Sequence, residues 1–376
     1  MRAPAAPRSF LPHLVRVKAA TCFGRRITPP FVTLYVTTRC DEKCVHCYYW
    51  DQLNPRPNRD FTFSEFDRTL ASMGEIFNLF IGGGEPFLRS DLADVILAAR
   101  DRNGIANVYV PTNAQHSARV VSTLERVLAR APGLRFHLNL SIDHVDEEEH
   151  DRIRGRKGAL RRTLGTVAAI EPVRRNHPNL IVHTLTTVMK DNQADILRIH
   201  EGLKRLVDPD GTSYNYCRGS PLDPAQTDVD PAVYRELAER VRQDRRSGRA
   251  RRSAFSRVNH SLDDEVRKSV ERTVLQRRPQ FSCVSGRLAC VIYSDGDVTE
   301  CETKNSRLGN LRDADYDFPS LWFGERAERI AAEAADGCYC THECGHYAST
   351  IYSVKRIAKV AARSAVPRAI RSRRSP

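Results

Sequence analysis

The sequence predicts an α/β fold, a partial (β/α)6 barrel followed by a small cysteine-rich C-terminal domain. From Phe31 onward, short runs rich in β-branched and aromatic residues alternate with longer helical patterns, the signature of βα units around a parallel sheet. Six such units precede residue 220, which suits a partial barrel. Beyond Gln280 the pattern gives way to turn-rich sequence holding six of the chain's 11 cysteines.

In chain order, the expected strands are residues 31–37, 78–82, 107–111, 135–142, 180–189 and 212–217, each leading into a polar or glycine-bearing loop. Helices are expected over 63–73, 92–102, 118–131, 160–170 and 194–206; Phe66 and Leu70 show the helical spacing. Residues 221–231 are rich in Asp and Pro, and 233–276 form an Arg-dense helical stretch that reads as a solvated connecting segment. A hairpin is expected at 289–301, turning at Ser294-Asp295-Gly296. The resulting division is a basic extension (1–30), the barrel (31–220), a helical connector (221–280), the cysteine-rich domain (281–348) and a basic tail (349–376).

At 376 residues the chain has ample length for a buried core. The first 14 residues are broken by Arg2, Pro4, Pro7 and Arg8 and lack the apolar stretch of a signal peptide, so a reducing compartment, the cytoplasm, is expected. Nine cysteines fall in two groups, 40–47 and 283–344, and such grouping points to metal sites. Residues 1–40 and 345–376 hold fifteen Lys and Arg and no acid; setting these aside, the net charge of +13 leaves the body near −2. A nearly neutral body argues against nucleic acid as the partner. No window approaches 18 consecutive apolar residues.

In Cys40-Asp-Glu-Lys-Cys44-Val-His-Cys47, three thiols sit in a short loop just after the first strand, able to converge on one metal centre. Iron-sulfur clusters normally take four Cys ligands and structural zinc is closed by four, so three close ligands imply an open coordination position. The competing reading is a zinc site completed by His46 or a distant cysteine.

This CxxxCxxC after the first strand resembles the motif of the radical S-adenosylmethionine (SAM) superfamily, and later segments match in the expected order. Gly82-Gly83-Gly84-Glu85-Pro86 ends the second strand. The resemblance implies that Gly83 and Gly84 let backbone approach SAM, since glycine has no Cβ, and that Glu85 meets the SAM amino group. By the same resemblance Ser141, in Leu138-Asn-Leu-Ser-Ile-Asp143, would bond the ribose or carboxylate region, and Arg154 would meet the carboxylate. Asn113 and Asp143, polar residues at strand ends, are further candidates. The implied chemistry is one-electron reduction of SAM by a 4Fe-4S cluster, releasing a 5′-deoxyadenosyl radical that abstracts hydrogen from substrate. An electron donor such as flavodoxin or ferredoxin is the implied partner.

Cys283, Cys290, Gly296 and Cys301, then Leu308-Gly-Asn-Leu311 and Cys338-Tyr-Cys340-Thr-His-Glu-Cys344, resemble the SPASM or twitch extension of that superfamily. The resemblance implies one auxiliary 4Fe-4S cluster held by Cys283 and Cys301, with Cys340 and Cys344, or Cys338, completing four. Cys290 lies within a strand pattern and is read as structural. Zinc remains the alternative for this group, because CxC plus CxxxC with two distant cysteines can make a closed tetrahedral site. Cys22 and Cys217 stand alone and are read as buried small hydrophobes. Glu302 follows Cys301, and in sulfatase-maturing members an Asp at the matching position removes the substrate proton; here Glu would serve as general base, form a salt bridge or tune the cluster.

The segment before Phe31 is short for the peptide-recognition domain of peptide-modifying SPASM enzymes, so a small-molecule, sugar or lipid-linked substrate is expected first and a peptide second. Residues 10–18 and 351–363 mix apolar and basic residues at roughly helical spacing, suiting either peripheral contact with an anionic membrane surface or a solubilising tail. A zinc or iron-sulfur module without SAM chemistry is the reading from another class.

Overall fold

In a computed structural model, which describes residues 10–247, 256–337 and 339–365, nine strands form one sheet. They are β1 (Phe31–Thr37), β2 (Asn78–Gly83), β3 (Asn107–Thr112), β4 (Arg135–Ser141), β5 (Leu180–Val188), β6 (Gly211–Tyr216), β7 (Ala289–Ile292), β8 (Asp297–Thr299) and β9 (Arg307–Asn310). Their order is β6-β5-β4-β3-β2-β1-β7-β8-β9, so the sheet is open and not a closed barrel. Strands β1 to β6 are parallel to one another, and β7 adds in parallel to the free side of β1, pairing Phe31 with Ala289 and Leu34 with Ile292. Strands β8 and β9 then continue antiparallel. The turn between β7 and β8 uses Gly296 at φ +96°, a conformation glycine adopts without strain. The cysteine-rich region therefore extends the barrel sheet itself.

Strand parity divides the side chains. On one face Val32, Leu34, Val36, Leu79, Ile81, Val108, Val110, Phe136, Leu138, Leu140 and Val182 are buried against the helices and form the main core. On the other, Phe31 stacks on Phe80 (4.4 Å), Phe80 on Tyr109 (4.2 Å) and Tyr109 on His137 (4.2 Å), a ladder lining the concave side below the ends of the strands.

The helices Phe63–Ser72, Leu92–Asn103, Ser117–Arg130, Ala159–Asn176 and Ile196–Leu206 follow β1 to β5 within one or two residues of expectation except at Asn176, and a short helix, Glu147–Arg154, that was not expected precedes Ala159–Asn176. There the helix runs on through Pro172, which reads in sequence as a stop; Ile170 and Val173 are both buried and hold the continuation. The described part of the 233–276 stretch lies in two helices, Pro231–Ser247 and Ser256–Gln276. The chain ends are not detached within the described residues: the helices Phe10–Cys22 and Val354–Ala365 share a second, smaller core in which Leu14, Val17, Leu262, Leu288, Ile351, Tyr352 and Val360 are buried. The lone cysteines part company, Cys217 buried as expected and Cys22 exposed, contrary to expectation, because it lies on the outward side of its helix.

Glu65 ties the sheet extension to the barrel. As N3 of the helix Phe63–Ser72 it completes a capping box with Thr62, and it accepts from Arg312 (2.7 Å) and Tyr316 (2.9 Å) beyond β9. The Arg312 bond, with the Thr62 and Tyr316 donors, brings its carboxyl from the usual 4.5 down to about 2. A depressed carboxyl contributes stability above pH 4.5 and loses it as pH falls toward 2. Glu65→Gln is expected to cost about 1 kcal/mol at neutral pH, discounted for solvent screening. Urea titrations at pH 7 and 3 check this: the gap between the proteins should narrow at the lower pH.

Candidate active site

The loop Cys40–Cys47 leaves the C-terminal end of β1 and is held on three sides. Asp60 accepts from Thr37 Oγ1 (2.6 Å), from the Thr38 backbone N–H (2.9 Å) and from Ser294 Oγ (2.8 Å), joining the end of β1 to the β7–β8 turn. Asp41 accepts from Asn113 Nδ2 (2.8 Å) after β3, lies 2.9 Å from His116 Nε2 and is paired with Arg156. Backbone bonds from Lys43 N to Arg154 O (3.1 Å) and from Val45 N to Ile153 O (3.0 Å) lay the loop along the end of the helix Glu147–Arg154.

The end of β2 closes the fourth side, and glycine is demanded there by contact. At Gly83, with φ +117°, an added Cβ would lie 2.2 Å from Thr37 O; at Gly84 it would lie 2.1 Å from Arg39 O. The Gly84 and Glu85 N–H groups bond those same two carbonyls at 2.8 Å. Any side chain would pry β2 away from the cysteine loop.

Cys40, Cys44 and Cys47 line one cleft, together with Gly83, Gly84, Glu85, Asn113, Ser141 and Arg154. The first cysteine group and the SAM set are thus brought to one place by segments spanning more than a hundred positions, except Asp143, which is buried behind the cleft against Arg154. Burial pushes the Cys40 thiol up to about 12 and the Cys44 thiol well above its usual range. Buried thiols of this kind become thiolates only beside a cation, so the donor set suits a metal cluster.

The polar residues differ in what they still offer. Glu85 is buried and accepts from Phe87 N (3.0 Å), Thr112 Oγ1 (2.8 Å) and Asn113 N (2.7 Å), clasping β2 to β3. A carboxylate has about four acceptor positions, so one is left for an ammonium. Burial, outweighing these donors, raises its carboxyl to about 7. Asn113 is committed to Asp41 and Gln115. Ser141, at the end of β4, makes no side-chain hydrogen bond among the described residues. Arg154 lines the cleft with its guanidinium buried and ion-paired with Asp143 (2.7 Å), with Glu42 Oε2 at 3.6 Å and Cys44 Sγ at 3.7 Å. Because burying a cation demands paired charge, Asp143 and Glu42 are recruited to it. Glu42 retains a buried Oε1 without a partner.

The second cysteine group lies on the other flank. Cys301 follows β8 and accepts from the Lys304 N–H (3.2 Å). Its neighbour Glu302 accepts from Tyr35 (2.8 Å) and pairs with His342 (2.7 Å), between Cys340 and Cys344. His346 Nε2 donates to Cys340 O (2.7 Å) and its ring meets Phe281 (4.7 Å), two residues before Cys283. These contacts join the segments bearing Cys283, Cys301, Cys340 and Cys344. Cys338 lies outside the described residues. Cys290 is buried beside Val32 in the β1–β7 pairing and sits in the main core. The ten described cysteines are all free.

Of the roles open to Glu302, the structure shows the salt bridge. Burial alone would raise its carboxyl, but the His342 imidazolium, the Arg218 guanidinium and the Tyr35 hydroxyl outweigh that and hold it at about 2. Glu302 does not line the cleft; Tyr35 and Tyr48 do, their hydroxyls 2.9 Å apart. Since Tyr35 donates to Glu302, Tyr48 donates to Tyr35. Arg218, bonded to Glu343 at 2.8 Å, completes this wall. Sequence reasoning missed Tyr35, Tyr48, Glu42 and Arg218. The parity of β1 was the available signal for Tyr35, which alternates onto the concave face.

Residues 34–202 match the model of the Radical SAM superfamily. Among curated relatives, the chain is 26% identical over 315 residues to the AdoMet-dependent heme synthase of Methanosarcina barkeri, covering 80% of this chain and 83% of the relative. It is 22% identical over 297 residues to the antilisterial bacteriocin subtilosin biosynthesis protein AlbA of Bacillus subtilis, 77% of this chain and 59% of AlbA. The fold is similar to that of native anSMEcpe with bound AdoMet and Cp18Cys peptide, with a TM-score of 0.59, 16% identity and coverage of 89% of this chain and 99% of that one. Members of the superfamily use a 4Fe-4S cluster and SAM, and SPASM relatives carry auxiliary clusters. With the family match at residues 34–202 and an open α/β sheet around a three-cysteine cleft, this chain carries a Radical SAM superfamily domain.

Proposed function

We propose that Cys40, Cys44 and Cys47 hold the catalytic 4Fe-4S cluster and that the enzyme takes hydrogen from a peptide substrate lying between the two cysteine groups. The observation that carries the catalytic reading is the meeting of those three cysteines with Gly83, Gly84, Glu85, Ser141 and Arg154 in one cleft. When bound, the reduced cluster supplies the electron that splits SAM into methionine and a 5′-deoxyadenosyl radical. Around it the Gly83–Gly84 edge, packed on the Thr37 and Arg39 carbonyls, presents its own backbone to SAM, Glu85 offers its remaining acceptor position to the amino group, and Ser141 offers a hydroxyl. Arg154, fixed by Asp143, keeps positive charge beside Cys44 and the SAM carboxylate. An auxiliary cluster on Cys283, Cys301, Cys340 and Cys344 would supply an electron acceptor on the substrate's far side, which favours an oxidation.

The peptide class replaces the small-molecule expectation because the structural neighbour that the fold matches over nearly its whole length holds a peptide beside AdoMet. A small-molecule substrate is the second reading, supported by the heme synthase relative. Incubating reduced holoenzyme with candidate precursor peptides and following substrate-dependent formation of 5′-deoxyadenosine separates the two; stimulation by tetrapyrrole or sugar candidates alone would remove the peptide reading.

Glu302 then serves as a positioning residue, because Tyr35 and Tyr48 stand between it and the cleft. Glu302→Gln is expected to lower product formation by roughly tenfold or more while leaving SAM cleavage without substrate unchanged, the signature of a lost positioning interaction. Glu302→Asp should recover part of it, and Tyr48→Phe should reproduce the defect. Equal product formation in wild type and Glu302→Gln would remove the role.

A further inference from the structure

The two terminal helices have faces that the fold leaves uncovered. In the helix Phe10–Cys22, His13, Leu14 and Val17 turn into the small second core. A surface helix ordinarily presents polar residues on its opposite side. Here the opposite stripe is Leu11, Val15, Ala19 and Cys22, all exposed, with Leu11 at 68% and Val15 at 60%, and Phe23 follows at 82%. The helix Val354–Ala365 repeats the arrangement. Val360 is fully buried, whereas Val354 (61%), Ala358, Ala361 and Ala362 face outward.

The charges beside these stripes are of one sign. Residues 1–40 and 345–376 contain no acid. Arg16, Lys359 and Arg363 are tied to Glu75 and Glu265, but Lys18 and Lys355 carry no ion pair among the described residues. In sequence, Arg2 and Arg8 precede the first helix, and Arg368, Arg371, Arg373 and Arg374 follow the second. An occupant of this face must therefore supply apolar bedding and negative charge together. Nucleic acid supplies charge without an apolar bed; an anionic phospholipid surface supplies both.

The position of the face leaves catalysis unobstructed. Phe10 and His13 pack on Phe77 (5.9 and 4.2 Å), the residue before β2, and the Phe31 N–H at the start of β1 bonds Leu288 O of the shared core. The helices thus sit at the N-terminal ends of the strands, whereas the cleft lies beyond their C-terminal ends.

We propose that the exposed face of Phe10–Cys22, together with that of Val354–Ala365, docks the enzyme on an anionic lipid surface, lying in the interface. No helix among the described residues is long and apolar enough to cross a membrane. The inference does not depend on the substrate.

The test is flotation of the holoenzyme with vesicles of phosphatidylcholine alone or with about one third phosphatidylglycerol, at roughly 0.05 and 0.5 M salt. The expected result is binding to the anionic vesicles only, released at high salt. The exposed double variant Leu11→Asp, Val15→Asp should bind roughly tenfold or more weakly with unchanged melting temperature and SAM cleavage. Failure of the wild type to float, or flotation of the variant at wild-type level, would overturn the proposal. So would gel filtration showing a wild-type dimer that the variant dissolves, which would assign the face to a second copy.

Discussion

Cys44→Ala is expected to abolish reductive SAM cleavage, by roughly a thousandfold or more, while leaving the fold intact. Cys44 lies in the cleft wall in a loop whose path is set by Asp41, Asn54 and backbone bonds to the helix Glu147–Arg154. Removing one thiol touches none of these. The same substitution takes away a third of the ligands that leave the cluster one open position, and it leaves the buried Arg154 facing only Asp143 and Glu42. Chromatographic detection of 5′-deoxyadenosine under strong reductant, beside a circular dichroism melt, checks both halves. Retained cleavage would show that the triad is not the SAM-bound centre.

Gly84→Ala is expected to be nearly as damaging by a different route. A methyl 2.1 Å from the Arg39 carbonyl has no room, and the obstacle is backbone, not a flexible side chain. Relief requires parting β2 from the cysteine loop, breaking the bonds from Gly84 N to Thr37 O and Glu85 N to Arg39 O. A stability loss of about 2–4 kcal/mol, with iron content falling together with SAM binding, is the expected outcome. Gly165→Ala is the control: nothing lies within 4 Å of its added Cβ, and mid-helix alanine should instead stabilise by about 0.5–1 kcal/mol. Chemical denaturation and iron assays on both variants separate contact at the cleft from a general effect of losing glycine.

The contrast between these glycines marks how far sequence reading reaches. The six parallel strands were legible because each is a short β-branched run closed by polar residues, and their ends lie within one residue of expectation. The cleft residues were legible because a parallel sheet delivers the ends of its strands to one edge, so motifs far apart in sequence meet there. What connects non-neighbouring segments was not legible. Nothing local in Ala289–Ile292 tells that it will pair in parallel with β1, or that Arg312 will reach back to Glu65. The partners of Arg154 follow from burial, which forces a guanidinium to collect carboxylates, and burial is a property of the finished fold. Glu302 is the same case: in sequence its carboxylate reads as general base, salt bridge or cluster tuner, and the ion pair is visible only once His342 and Tyr35 are packed against it. The terminal helices show the converse, since their inward residues Leu14, Val17 and Val360 reveal a second core that amphipathic spacing alone left open between membrane and tail.

The proposed function turns on a redox-active cluster held by Cys40, Cys44 and Cys47. Its most direct measurement is anaerobic reconstitution, iron and sulfide analysis, and 5′-deoxyadenosine release with dithionite and SAM, comparing the wild type with a Cys40, Cys44 and Cys47 triple alanine variant. The expected result is a brown wild-type protein with about eight irons for two four-iron clusters, about four in the variant, and 5′-deoxyadenosine from the wild type alone. A colourless protein that retains zinc after reconstitution and releases no 5′-deoxyadenosine would contradict it.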